Sequence, residues 1–376
     1  MFLEQLKLKN VLSYRDLDFK FEPVTAIIGA NAAGKSNLLH AIELLQGIST
    51  DLTRFRWGLA GPRTWAFGLP VRGGSIELDA KFLPIDDELA HTSFDVRIDT
   101  SEREYFIVEE HGAYVNEGKW QRVFDRKRQF GNILGEKVEL STSHSLLSRM
   151  GLAAPLIFVE LQNRMADVRF YSDFDLRPGS ALRTGVVIPA EKSRLSTLGD
   201  NLALIVNQRQ HLNKFEAVDR YMKRLIPSYS RVSVSIEASY AALYLHIEDV
   251  EQPIPATRLS VGTLNFLALL VALFDPNPPP LICIEEPEKG LHPEAAALIA
   301  RAILEASERT QIILTTHSKD LVDMFSSRPE YVVTAEYEPG EGTKLLRHTR
   351  DELDIWLDHF SLGDLWVRGE IGGNPQ

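Results

Sequence analysis

Apolar and polar positions alternate from Phe2 to Phe21, with Leu3, Leu6 and Leu8, then Val11, Leu12 and Tyr14, then Leu17, Phe19 and Phe21. Period-two spacing of this kind predicts two short strands, joined at Asn10. Val24 to Ile28 is a compact β-rich run ending at Gly29, and Leu38, Leu39, Ile42 and Leu45 return at helical spacing. The expected order is strand, glycine loop, helix. Residues 50 to 75 hold many Gly, Arg and Trp and read as loop. Between Ser75 and Phe124 the sets Ile76, Leu78, Ala80; Phe94, Val96, Ile98; and Tyr105, Ile107, Val108 predict an antiparallel sheet.

Residues 145 to 195 mix short apolar pieces with Arg-rich polar ones. Asp200 to Leu225 predicts a helix capped by Asp200 and closed by Pro227, and Val232 to Ile247 alternates again. The last third reads helix (Thr263 to Phe274), strand (Leu281 to Ile284), helix (Pro293 to Ser307), strand (Gln311 to Thr315) and helix (Lys319 to Phe325). That alternation predicts a mostly parallel sheet with nucleotide chemistry at its carboxyl edge. The chain divides into an N-terminal lobe (1–145), a helical or irregular insertion (146–230) and a C-terminal lobe (231–376). Neither an internal repeat nor a sustained heptad run is present.

Composition narrows the class. Hydrophobic residues at 44% and charged residues at 25% suit a globular domain and exclude a wholly disordered one. The longest apolar run, Phe266 to Phe274, has nine residues, against roughly 20 for a bilayer-spanning helix. With no basic and apolar leader at Met1 to Gln5 and a lone cysteine, Cys283, the expectation is a cytoplasmic protein without a membrane anchor. The net charge of −11, from 52 acids and 41 bases, argues against a coat for nucleic acid. One basic run stands out, Lys119 to Arg128, with five bases, one acid and two aromatics. It reads as a solvated strand-to-helix edge.

Three segments carry chemistry. Gly29-Ala30-Asn31-Ala32-Ala33-Gly34-Lys35-Ser36 matches the phosphate-binding loop in full, with Asn37 just beyond it. Its glycines let backbone N–H groups face a phosphate, Lys35 reaches the β- and γ-phosphates, and the Ser36 hydroxyl serves Mg²⁺. Leu281 to Ile284 then delivers paired carboxylates at a strand tip, Glu285 for the metal and Glu286 as general base. Cys283, inside that strand, reads as core packing. Thr315-Thr316-His317-Ser318 ends the next strand, where His317 is either a γ-phosphate contact or a satisfied loop histidine. The order of motifs favours the contact.

Together with Leu6 to Tyr14, Leu259-Ser260-Val261-Gly262-Thr263, Glu285 to Pro293 and the ending Gly363 to Trp366, Gly369-Glu370 and Gly372 to Asn374, these segments resemble the ABC-type ATPase heads of the SMC and RecF group. Among these, the sequence is similar to compact bacterial AAA-type, overcoming-lysogenisation-like ATPases of phage defence. The resemblance covers roughly residues 1–50 and 195–376. It implies an α/β P-loop NTPase of the ABC head type with two lobes, one mixed-sheet lobe holding the P-loop and one α/β lobe holding the signature motif and the Walker B acids. ATP and Mg²⁺ are the implied cofactors. Ser260 and Gly262 match the signature motif, which in that group completes the nucleotide site of a second subunit. From the residues alone, Ser260 is a helix N-cap.

Two departures bear on function. Glu285 stands where the group usually has Asp, and the long coiled coil is missing, which argues against a chromosome tether. The group's glutamine loop falls on Gln162 or, failing that, Gln129. The resemblance implies a homodimer closing around two ATP molecules and a separately encoded effector, a nuclease of the TOPRIM-like kind. DNA is a further possible partner, since the alternative is a RecF-like DNA clamp of recombination and repair. A transporter subunit is disfavoured because Val261-Gly262-Thr263 replaces the Gly-Gly-Gln usual there.

Overall fold

Alternation along the buried strands decides which of two cores each residue joins. Val24, Ala26 and Ile28 face one core while Ile27 faces the other. The same split separates Ile282 and Ile284 from Leu281 and Cys283, and Ile312 and Leu314 from Ile313. A single sheet is thus the wall between two apolar layers.

The computed structural model describes residues 2–84, 90–150, 155–188, 194–237 and 239–373. Fourteen strands form its main sheet. Arg169–Tyr171, Leu281–Glu285, Gln311–Thr315, Val24–Ile28 and Val332–Glu338 run parallel in that spatial order. Gly342–Arg347, Tyr14–Lys20 and Leu3–Val11 follow, and then an antiparallel meander from Ser75–Phe82 to Glu136–Glu139. Helix Lys35–Thr50 and helix Leu156–Asp167 pack in the second core. On the other face lie helices Leu202–His211, Glu216–Leu225, Val261–Leu273 and Pro293–Ala306, with the hairpin Tyr229–Glu237 and Tyr240–Ile247. Every residue of Val261–Leu273 from Leu264 onward is buried, as an all-round apolar helix requires.

Several expectations need correction. The first two strands meet at Leu12 and Ser13 rather than Asn10; Leu12 takes the left-handed turn at φ 53°, while Asn10, φ 56°, stays within its strand. The 200–225 helix is broken in two, with Asn213 at φ 52° in the break, and the N-cap position falls on Asn201, not Asp200. Asn201 turns its amide outward from the helix, accepting from Ser196 N–H (2.8 Å) and donating to the Arg194 carbonyl (2.8 Å).

The basic run is a strand, Lys119–Lys127, flanked by strands on both sides. Its Arg126 is not solvated at all. Its side chain and that of Glu110 are 0% exposed and form an ion pair, 3.5 Å apart. Glu110 also accepts from the N–H groups of Leu146 (2.9 Å) and Leu147 (3.1 Å), and Arg126 donates to the Ser141 carbonyl (2.9 Å). A buried pair needs such extra hydrogen bonds, and here they tie the segment leading to helix Leu156–Asp167 onto the meander.

Candidate nucleotide site

The buried strand Val24–Ile28 hands the chain to Gly29 at φ +149°, where a Cβ would lie 2.4 Å from the Ala335 carbonyl oxygen. At Gly34, φ +93°, a Cβ would lie 2.2 Å from Thr343 Oγ1 and 2.4 Å from Ser13 Oγ. Both glycines are therefore required by space as well as by φ. Behind the loop, Tyr14 donates to the Gly34 carbonyl (3.0 Å) and Thr343 to the Ala33 carbonyl (2.8 Å). The Leu6 to Tyr14 segment thus contributes by bracing the loop.

Helix Lys35–Thr50 starts with no side-chain cap. An uncapped helix start of this kind suits an anion. Lys35, buried, donates to the carbonyls of Gly29 and Ala30, both at 2.9 Å. Burial pushes its ammonium below the ordinary lysine range, and the charges of Glu286 and Glu285 partly restore it. Asn31 and Ala32 (φ 63°) span the exposed crest, and Asn37 N–H closes the first turn on the Gly34 carbonyl (3.1 Å).

Strand Leu281–Glu285 lies two strands from the loop, with Gln311–Thr315 between. Glu285 pairs in register with Thr315, and Thr315 with Ile27, so three strand tips share one edge. There Ser36 Oγ donates to Glu285. Hydroxyl and carboxylate are hard oxygen ligands of the kind Mg²⁺ takes alongside phosphate oxygens. Among the described residues no group of three or more His, Cys, Asp or Glu gathers as a metal-holding cluster. Glu286 sits at φ 46°, with its N–H donating to the Thr315 carbonyl (3.0 Å). Its Oε1 lies 3.6 Å from His317 Nε2. Burial, then the Lys35 charge, lower the His317 pKa below the ordinary imidazole value, favouring the neutral ring.

Ser260 is placed apart from this cluster. It caps helix Val261–Leu273, accepting from Thr263 N–H (3.0 Å), and is exposed. A Cβ on Gly262 would be 2.9 Å from the Gly290 carbonyl, so the helix start abuts the loop after the two acids. Among the described residues Ser260 makes no hydrogen bond to the phosphate loop of its own chain. Gln162 spends its amide on the Ser148 carbonyl (3.2 Å), and Gln129 lies in the turn after Lys119–Lys127. What runs beside the carboxylates instead is the segment after edge strand Arg169–Tyr171. Asp173 there pairs with Lys289 at 2.7 Å, and both line a cleft of about 540 Å³ with Glu285, Glu286 and Val261.

Two contributors do more than the sequence reading gives them: Glu288 is matched there, with the segment to Leu291, only to a loop that crosses the dimer seam, and Gly372 with Gly373 has no role. The first is Glu288, which accepts from Thr316 Oγ1 (2.8 Å) and His317 N–H (2.7 Å). Three acids within Glu285 to Glu288 were the available signal. The second is the turn at Gly372 and Gly373. Trp366 Nε1 donates to the Gly373 carbonyl (2.6 Å), Gly373 N–H donates to Glu336 (2.8 Å), and a Cβ on Gly373 would be 3.2 Å from Gly29 Cα. Asn374 lies outside the described residues. Cys283 is buried in the core, its thiol pKa pushed up by burial.

A phosphate loop, an acid pair and a histidine at adjacent parallel strand tips define a P-loop ATPase of the ABC head type, in the SMC and RecF group. The chain belongs to the family described as "AAA domain, putative AbiEii toxin, Type IV TA system", which matches residues 24–323. It is 24% identical to an OLD nuclease of Thermus scotoductus, over 99% of this chain and 68% of that protein. A shorter stretch of 63 residues is 43% identical to the DNA replication and repair protein RecF of Bacillus cytotoxicus, covering 15% of this chain and 17% of RecF. In fold it is similar to a solved Smc head bound to the C-winged helix domain of ScpA, with a TM-score of 0.57 at 16% identity, over 94% of this chain and 100% of that one. No helix among the described residues is long and apolar enough to cross a membrane.

Proposed function

We propose that the protein is a Mg²⁺-dependent ATPase acting as a nucleotide-driven switch. The observation that carries this is the meeting of Lys35, Ser36, Glu285, Glu286 and His317 at one sheet edge. Lys35 and the uncapped helix start hold the β- and γ-phosphates, while Ser36 and Glu285 hold the metal. Bound Mg²⁺ neutralises charge on the phosphate oxygens. Glu286 accepts the proton of the attacking water, and His317, neutral, faces the γ-phosphate.

Ser260, exposed at a helix start and unused by its own phosphate loop, is assigned to the site of a second copy. Two chains then close around two ATP molecules, and closure reports occupancy. The output of the switch is a separate effector nuclease in anti-phage defence. The similarity to an OLD nuclease supports this pairing of ATPase head and nuclease chemistry. Light scattering on Glu286→Gln tests the closure: mass doubling on adding ATP supports it, and unchanged mass at saturating ATP rejects it. Co-expression with the products of adjacent genes, followed by ATP-dependent DNA cleavage, tests the effector.

The RecF match favours one other reading, a clamp that grips duplex DNA when closed. ATP turnover stimulated by duplex and lost with added salt is its signature.

A further inference from the structure

Glu288 takes no part in the reaction just described, yet it is the most heavily engaged acid at the sheet edge. The chain reverses directly after the carboxylate strand, with Lys289 N–H donating to the Glu286 carbonyl and Leu291 N–H to the Glu288 carbonyl, each at 2.9 Å. That reversal turns the Glu288 side chain back toward the tip of the neighbouring strand. Its Oε1 accepts both the Thr316 hydroxyl (2.8 Å) and the His317 backbone N–H (2.7 Å). Thr316 is fully buried, its N–H donates to the Ile27 carbonyl (3.0 Å), and its hydroxyl accepts from Ser318 N–H (3.0 Å). The histidine turn is therefore fastened to the phosphate-loop strand on one side and to Glu288 on the other.

Glu288 Oε2 is shielded from solvent and meets no donor among the described residues. With one oxygen occupied twice and the other shielded, neither is offered to a reacting water. Glu286, by contrast, keeps 39% of its side chain exposed beside the histidine. We infer that Glu288 is a positioning residue, which acts through Thr316 and the His317 backbone to hold the imidazole against Glu286. The inference rests on the ATPase reading, because it gives the histidine a reaction to serve. The three acids then differ in role, since Glu285 binds metal, Glu286 reacts and Glu288 aligns.

The test compares Glu288→Ala and Glu288→Gln with the wild type in three measurements. These are hydrogen exchange at 315–318 without nucleotide, affinity for a non-hydrolysable ATP analogue, and steady-state kinetics. Glu288→Ala is expected to speed exchange at His317 and lower kcat, each by about tenfold or more, the equivalent of one hydrogen bond to a charged acceptor. Analogue affinity stays within about threefold, since the phosphate loop is untouched. Glu288→Gln keeps the accepting oxygen and restores both readouts. Should the alanine variant fail to fold, Glu288→Asp, a methylene short of both donors, takes its place.

Unchanged exchange in the alanine variant overturns the inference, as does analogue affinity falling as far as kcat. So does a glutamine variant that is slow although its turn stays protected, which makes the charge and not the alignment essential. If the wild type turns over no ATP, the ATPase reading falls, and the exchange comparison still decides whether Glu288 holds the turn.

Discussion

Ser36 Oγ donates a hydrogen bond to Glu285, 249 positions further along the chain. The contact joins the phosphate-loop helix to the carboxylate strand across the strand that separates them, and it sets the two proposed metal ligands face to face. Ser36→Ala is expected to raise the Mg²⁺ concentration for half-maximal ATP turnover by about tenfold or more, in the range for disturbed metal sites. A Mg²⁺ titration at fixed ATP measures it, and an unchanged midpoint rejects Ser36 as a ligand.

Lys35→Ala removes the cation that spans Gly29 and Ala30. Isothermal titration is expected to show no measurable ATP binding while the melting curve stays cooperative. Wild-type affinity in this variant contradicts the phosphate-loop assignment.

The two strand-tip acids are expected to separate kinetically. Glu286→Gln keeps ATP binding and slows hydrolysis by roughly 10²-fold or more, the scale of a lost general base. If Glu285→Gln stops turnover while Glu286→Gln is nearly normal, the roles are reversed.

The composite site has a mixing test. Ser260→Arg puts a long side chain at an exposed helix start, which blocks closure and leaves the chain's own phosphate loop intact. In a heterodimer with Lys35→Ala, one site carries both defects and the other carries neither. Part of the ATP turnover should return on mixing separately purified chains that exchange subunits. No recovery despite proven exchange rejects independent composite sites.

Stability offers a check away from the site. Arg126→Met strands the Glu110 carboxyl, whose pKa burial already pushes above the usual carboxylate range. Loss of one partner from a buried pair costs about 3–5 kcal/mol, which urea unfolding resolves. A loss below about 1 kcal/mol, the surface-pair scale, contradicts the burial.

What the sequence made legible were contacts whose partners lie at strand tips. Gly29 to Ser36, Glu285 with Glu286, and His317 each follow a short apolar run, and parallel pairing then forces them onto one edge. Glu288 was not readable as a brace, because its direction depends on the reversal after Glu286 and on which strand lies next door. Arg126 was hidden by its charge, although it sits two residues from Phe124 and shares its buried face. The break between His211 and Glu216 falls at Leu212-Asn213-Lys214-Phe215, which contains neither glycine nor proline to announce it. Gly372 and Gly373 gained meaning only through a distant backbone, at Gly29, that presses against one of them.

The wall shared by the two cores has a thermodynamic consequence. If the helices on one face came away, Val24, Ala26 and Ile28 would meet water, and the strand holding Ile27 in the opposite core would lose its support. The shared strands couple the two layers. The two layers should give one calorimetric transition with matching van't Hoff and measured enthalpies, and nucleotide bound at the sheet edge should raise the midpoint of both layers together.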